Sequence, residues 1–110
     1  MRNLFEDIPT NKTTELVDVL ARGDAVRVER IVSTGQSSPP GFWYEQEQSE
    51  WVAVISGRAE LEFANGTMRK MLPGDHVLIP AMQKHRVAST SADESTVWLA
   101  VFFDADPKSD

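Results

Sequence analysis

From Ala25 to Phe103 the chain is dominated by apolar and polar residues that alternate with period two, the signature of half-buried strands. Over residues 25–33, Val26, Val28, Arg30 and Val32 share one side of a predicted strand, and Arg27, Glu29 and Ile31 the other. Residues 58–64 place Ala59, Leu61 and Phe63 inward with Arg58, Glu60 and Glu62 outward. The Asn65-Gly66 that follows predicts a hairpin with a type I′ turn into a return strand at 67–72. Two further strands, Trp51 to Ser56 and Thr96 to Phe103, are apolar on both sides and need a cover on both. The core covers one face. A second copy of the chain is the simplest cover for the other, since large exposed apolar strips are rare on monomers, and a homodimer is expected.

Only the N-terminal region departs from this pattern. Residues 1–12 read as irregular, anchored by Leu4, Phe5 and Ile8. Thr13 or Thr14 offers a cap, Leu16, Val17 and Leu20 fall on one helical stripe, and Gly23 supplies a stop, so one short helix is expected there.

Composition narrows the function classes. A chain of 110 residues builds a single core, and 41% hydrophobic with 25% charged residues is ordinary for a globular domain. The net charge of -6, without a Lys/Arg run, argues against nucleic acid and anionic membrane surfaces as partners. Zero cysteines exclude disulfides, thiolate metal sites and cysteine nucleophiles. No stretch approaches the roughly 20 apolar residues of a membrane span, and Met-Arg-Asn-Leu-Phe-Glu-Asp lacks the apolar segment of a secretion signal. The cytoplasm is the expected location.

The candidate chemistry clusters in two stretches. In the first, Tyr44, Gln46 and Glu50 stand two and four residues apart, so in extended chain they share a face. The loop Gly-Gln-Ser-Ser-Pro-Pro-Gly over 35–41 delivers Phe42, Trp43 and Tyr44 ahead of them, as lid packing or as a ligand cage. In the second, His85 shares parity with Val87 and is expected inside, whereas His76 opposes Val77 and Ile79 and is expected at the surface. Arg30, in line with three valines, either snorkels outward or pairs inside with Glu50.

These two stretches resemble the paired motifs of the cupins, small double-stranded β-helix barrels of the jelly-roll type. The first cupin motif runs Gly, five residues, His-x-His, three or four residues, Glu, six residues, Gly. Here Glu50 and Gly57 match, Tyr44 and Gln46 stand at the histidine positions, and Ser38 replaces the leading Gly. The second runs Gly, five residues, Pro-x-Gly, two residues, His, three residues, Asn. Gly74, Pro80 and His85 match, with Met82 in place of the inner Gly and Ser89 in place of the Asn.

The resemblance implies an all-β cupin barrel over 25–104, an arm and short helix over 1–24 packed on it, and a polar tail over 105–110. It implies a small-molecule pocket inside the barrel, drawn from Arg30, Tyr44, Gln46, Glu50, Met82 and His85. A typical cupin binds Fe, Mn, Ni or Zn through two histidines, the Glu and the second-motif His. With Gln46, Glu50 and His85 as the candidate ligands, divalent metal binding is expected to be weak at best. Metal-dependent oxygenase or isomerase chemistry, metal-free binding or acid/base catalysis, and a sensory or structural barrel all stay open.

Overall fold

A computed structural model describes residues 1–10 and 13–104. Eight strands follow in order: β1 (Leu16–Arg22), β2 (Val26–Ser33), β3 (Ser49–Ser56), β4 (Ala59–Phe63), β5 (Met68–Met71), β6 (His76–Ile79), β7 (His85–Thr90) and β8 (Thr96–Phe103). They form a five-stranded sheet in the order β1-β2-β8-β3-β6 and a three-stranded sheet in the order β5-β4-β7. Every pairing is antiparallel. The core lies between the sheets, with Val52, Val54, Ile79, Trp98 and Phe102 from the larger one meeting Leu61, Phe63 and Met71 from the smaller.

No helix occurs among the described residues, which corrects the expectation of a short N-terminal one. Leu16–Arg22 is instead an edge strand in register with β2, Leu16 opposite Val32 and Asp18 opposite Arg30. The helical stripe of Leu16, Val17 and Leu20 is real in the sequence, but Val17 and Val19 are β-branched and favour extended chain. The free edge of β2 also satisfies the backbone along the whole segment, and tertiary pairing outweighs weak helix propensity. A register shift between Val19 and Ala21 breaks the ladder near its end.

β2 corrects a second expectation. Its inward side carries Ile31, which lines the barrel interior, and Arg27, whose guanidinium lies 4.5 Å from the centre of the Phe102 ring. The valine side faces out, and Arg30 goes with it. Arg30 is buried, yet neither snorkels nor meets Glu50. Its Nη2 contacts Asp18 Oδ2 at 2.5 Å, and its Nη1 donates to the carbonyls of Leu4 (3.0 Å) and Glu6 (2.6 Å). The N-terminal arm thus supplies a second layer over this sheet, which is why an outward row of valines resembles a core row in the sequence.

The β4–β5 hairpin forms at Asn65-Gly66, but not with the expected turn. Positive φ occurs at Gly66 (92°) and not at Asn65, whereas a type I′ turn needs both. Gly66 N donates to Phe63 O and Phe63 N to Thr67 O, the three-residue loop with one left-handed residue at its end. Asn65 Oδ1 accepts from Thr67 N and closes the loop locally.

Candidate functional site

Backbone hydrogen bonds join the two motif stretches before any side chain does. Ser38 N donates to Val87 O, Tyr44 and His85 exchange both backbone bonds (2.7 and 3.1 Å), and Met82 N donates to Gln46 O at 2.7 Å. Ser38 Oγ accepts from Val87 N, and Arg86 Nη2 donates to Ser38 O. The 35–41 loop is therefore tied along β7, and this places Tyr44 directly over His85. Their rings stack with centroids 5.5 Å apart, and Phe42 meets Tyr44 edge-on at 4.9 Å.

Beneath this lid a cavity of about 90 Å³ opens between the sheets. Tyr44, Gln46, Glu50 and His85 supply polar groups, together with Glu15, and the remaining wall is apolar: Ile31, Val52, Leu61, Ile79, Val87, Trp98 and Phe102. Two of the candidate pocket residues lie elsewhere. Arg30 is under the N-terminal arm on the opposite side of its sheet. Met82 is exposed on the turn before β7. Parity misplaced Arg30 because it cannot say which side of a two-faced strand is the inside. Motif spacing misplaced Met82 because the position serves the turn's backbone rather than the pocket.

Glu15 is the residue that sequence reasoning missed. Its signal was available once β1 is a strand: Leu16 opposite Val32 puts the preceding residue beside Ser33, on the same side as Ile31. Ser33 Oγ donates to Glu15 Oε2 at 2.6 Å and accepts from Trp98 Nε1 at 3.1 Å, so a buried indole orients a hydroxyl that orients the carboxylate.

Inside the cavity the polar groups hold one another. Gln46 Nε2 donates to Glu50 Oε1 at 2.9 Å, and His85 Nε2 stands 3.5 Å from the same oxygen. His85 Nδ1 is 3.0 Å from the Gln83 carbonyl, which only accepts, so Nδ1 carries a hydrogen. A neutral His85 would then point a lone pair at the Glu50 carboxylate; a proton on Nε2 turns that repulsion into a charge-assisted contact. Burial works against the imidazolium, but the Glu50 carboxylate and the Gln83 carbonyl together outweigh it and hold His85 above its ordinary value. Burial, followed by the charges of Glu15 and Glu50, pushes the Tyr44 phenol up, so it acts as a hydrogen-bond donor.

A model of the cupin domain family matches residues 28–102. The chain belongs to the cupin family. A Ralstonia eutropha JMP134 protein provisionally named a mannose-6-phosphate isomerase is 47% identical, with a TM-score of 0.93 over 96% of this chain and 98% of that one. A Desulfitobacterium hafniense DCB-2 cupin superfamily protein superposes at 0.74 with 18% identity, over 89% of this chain and 84% of that one. A cupin from Methanocaldococcus jannaschii with a double-stranded β-helix fold superposes at 0.68 with 16% identity, over 89% and 87%. No curated protein matches the chain.

The four-ligand metal centre of a typical cupin does not fit the groups present in this one. Among the described residues no three His, Cys, Asp or Glu side chains gather to hold an ion. A phenol and an amide stand where the first motif supplies imidazoles, and Gln46 turns its NH₂ group, not its oxygen, toward Glu50.

Proposed function

We propose that this cupin binds a small molecule in the barrel cavity through its own side chains, with the His85–Glu50 pair able to move a proton on that molecule and Tyr44 donating a hydrogen bond to it. The observation that carries this reading is the closed polar set: Gln46, Glu50 and His85 engage one another, and His85 holds a proton that a bound carbonyl or hydroxyl oxygen could accept. The apolar remainder of the wall excludes water and strengthens each of these contacts. The provisional name of the Ralstonia protein supports an isomerase within this reading, because isomerisation by proton transfer needs only one positioned acid/base pair. A homodimer, covering the outward apolar side chains of the larger sheet, and a cytoplasmic location, compatible with the absence of cysteine, complete the proposal.

Metal titration by calorimetry tests the reading against metal-dependent chemistry. The natural chain should bind Ni or Zn weakly, and the double variant Tyr44→His/Gln46→His, which restores both imidazoles beside Glu50 and His85, should bind about 100-fold more tightly or better. Equal, tight binding by both proteins would return a metal centre to first place.

A further inference from the structure

The charges around the cavity go further than its polarity and indicate what kind of ligand it takes. Among the described residues two carboxylates, Glu15 and Glu50, line it, and no Lys or Arg does. Even with His85 protonated the site is net negative. Beside it lies a vestibule of about 210 Å³, lined by Gln36, Ser37, Ser38 and Pro39 and sharing Glu15, Tyr44 and Val87 with the cavity. Glu15, Tyr44 and Val87 therefore form the wall common to the two chambers.

Glu15 is half-buried, and among the described residues it has a hydroxyl but no cation as partner. Its neighbours in charge are otherwise committed. Arg86, which bonds the Ser38 carbonyl at the vestibule, is neutralised by Glu62 at 2.8 Å, Arg30 by Asp18, and Arg27, whose guanidinium lies against Phe102, by Glu29 at 2.6 Å. Tyr44 lines both chambers with Glu15, its ring stacked on His85 and in edge contact with Phe42. An aromatic ring lining the same chambers as a carboxylate that no described Lys or Arg neutralises is an arrangement that favours an organic cation, and cation–aromatic contacts gain strength as they are desolvated.

We infer that the ligand carries a positively charged nitrogen, an organic ammonium group, which sits between Glu15 and the Tyr44 ring with its apolar body in the barrel. The inference rests on the small-molecule reading above and narrows it. A phosphorylated sugar is disfavoured: each phosphate oxygen would enter a net negative site that, among the described residues, no guanidinium or ammonium lines.

The test uses size-matched probes on the whole natural chain: tetramethylammonium, tert-butanol and trimethylacetate, with mannose 6-phosphate as a fourth, each titrated while backbone amide NMR shifts are followed. Tetramethylammonium should give saturable shifts at Glu15, Tyr44 and Val87, with affinity about tenfold above that of tert-butanol, and the two anions should give none. Glu15→Gln, whose amide oxygen still accepts from Ser33, should lower the cation's affinity about fivefold or more and leave tert-butanol unchanged, whereas the exposed Glu94→Gln should alter neither. Binding of either anion as tight as the cation's would overturn the inference, as would a cation affinity that Glu15→Gln leaves intact. If tert-butanol binds the cavity and the cation binds no better, the charge assignment fails and the small-molecule pocket stands. If no probe moves the cavity amides, both fail. The ranking on the natural chain decides the matter even where the Glu15 variant does not fold.

Discussion

Met82 holds φ at +67°, a left-handed conformation that costs a residue with a Cβ about 1 to 2 kcal/mol, at the position where the cupin motif carries Gly. The turn demands it: Gln83 N closes on Pro80 O while Met82 N donates to Gln46 O, the bond that joins the two motif stretches here. The side chain is 53% exposed and contributes little burial in return. Met82→Gly should therefore raise unfolding free energy by about 0.5 to 1 kcal/mol in a urea titration, the relief of strain exceeding the entropy that Gly adds to the unfolded chain. His85 carries a second expectation at this scale. Its folded value lies above its unfolded one, so its contribution to stability is fully present below about pH 6.5 and is lost as pH rises through the folded value. Urea midpoints measured from pH 5.5 to 8.5 should fall across that window in the natural chain. In His85→Gln the decline should shrink, and an unchanged decline would assign it to other groups.

Beside the β1–β2 ladder and the Ser95 Oγ bond to the Pro9 carbonyl, one side chain ties both β1 and the arm before it to β2. Arg30 reaches across from β2 to an Asp18 carboxylate on β1 and to two arm carbonyls, so three acceptors depend on one guanidinium. Its replacement by an apolar residue leaves those acceptors partly buried and unpaired. Arg30→Met should cost about 2 to 4 kcal/mol by chemical denaturation, much more than a surface substitution. The loss should be accompanied by faster amide exchange in residues 3–7 and 16–22, which the latch holds together, while the β4–β5 hairpin keeps its protection. A cost well under 1 kcal/mol would mean the arm is held by other contacts.

At the scale of the whole molecule, the larger sheet is a two-sided object. Its inner side makes the core, and on its outer side Val28, Val101, Trp51 and Leu78 follow one another across four strands in register. The arm covers part of this side, but Trp51 and Val101 remain half-buried and Leu78 is 55% exposed. A continuous apolar row of this kind is what a second copy would cover, and sedimentation at tens of micromolar, roughly, should give twice the 12.3 kDa of one chain. Leu78→Lys, at the exposed end of the row, should shift the protein to monomer without changing its spectrum of secondary structure. A natural chain that sediments as a monomer would sink the proposal.

Strand positions, the inward residues of β4, and the grouping of Tyr44, Gln46, Glu50 and His85 are legible in the sequence because they follow from local rules. Side chains alternate with period two whatever the strand pairs with, and the motif spacing encodes turns whose geometry is short-range. Three features depended on partners distant in the chain. Residues 16–22 satisfy a helical stripe and a strand pattern alike, and the open edge of β2 selected the strand. The two sides of β2 differ in the sequence by three valines, but the arm's carbonyls turned Arg30 outward and left Ile31 to line the cavity. Glu15 joined the site only because β1 paired in that register and set it beside Ser33. In each case the local preference is worth a fraction of a kcal/mol per residue, and a backbone ladder or a buried charge satisfied at long range outweighs it.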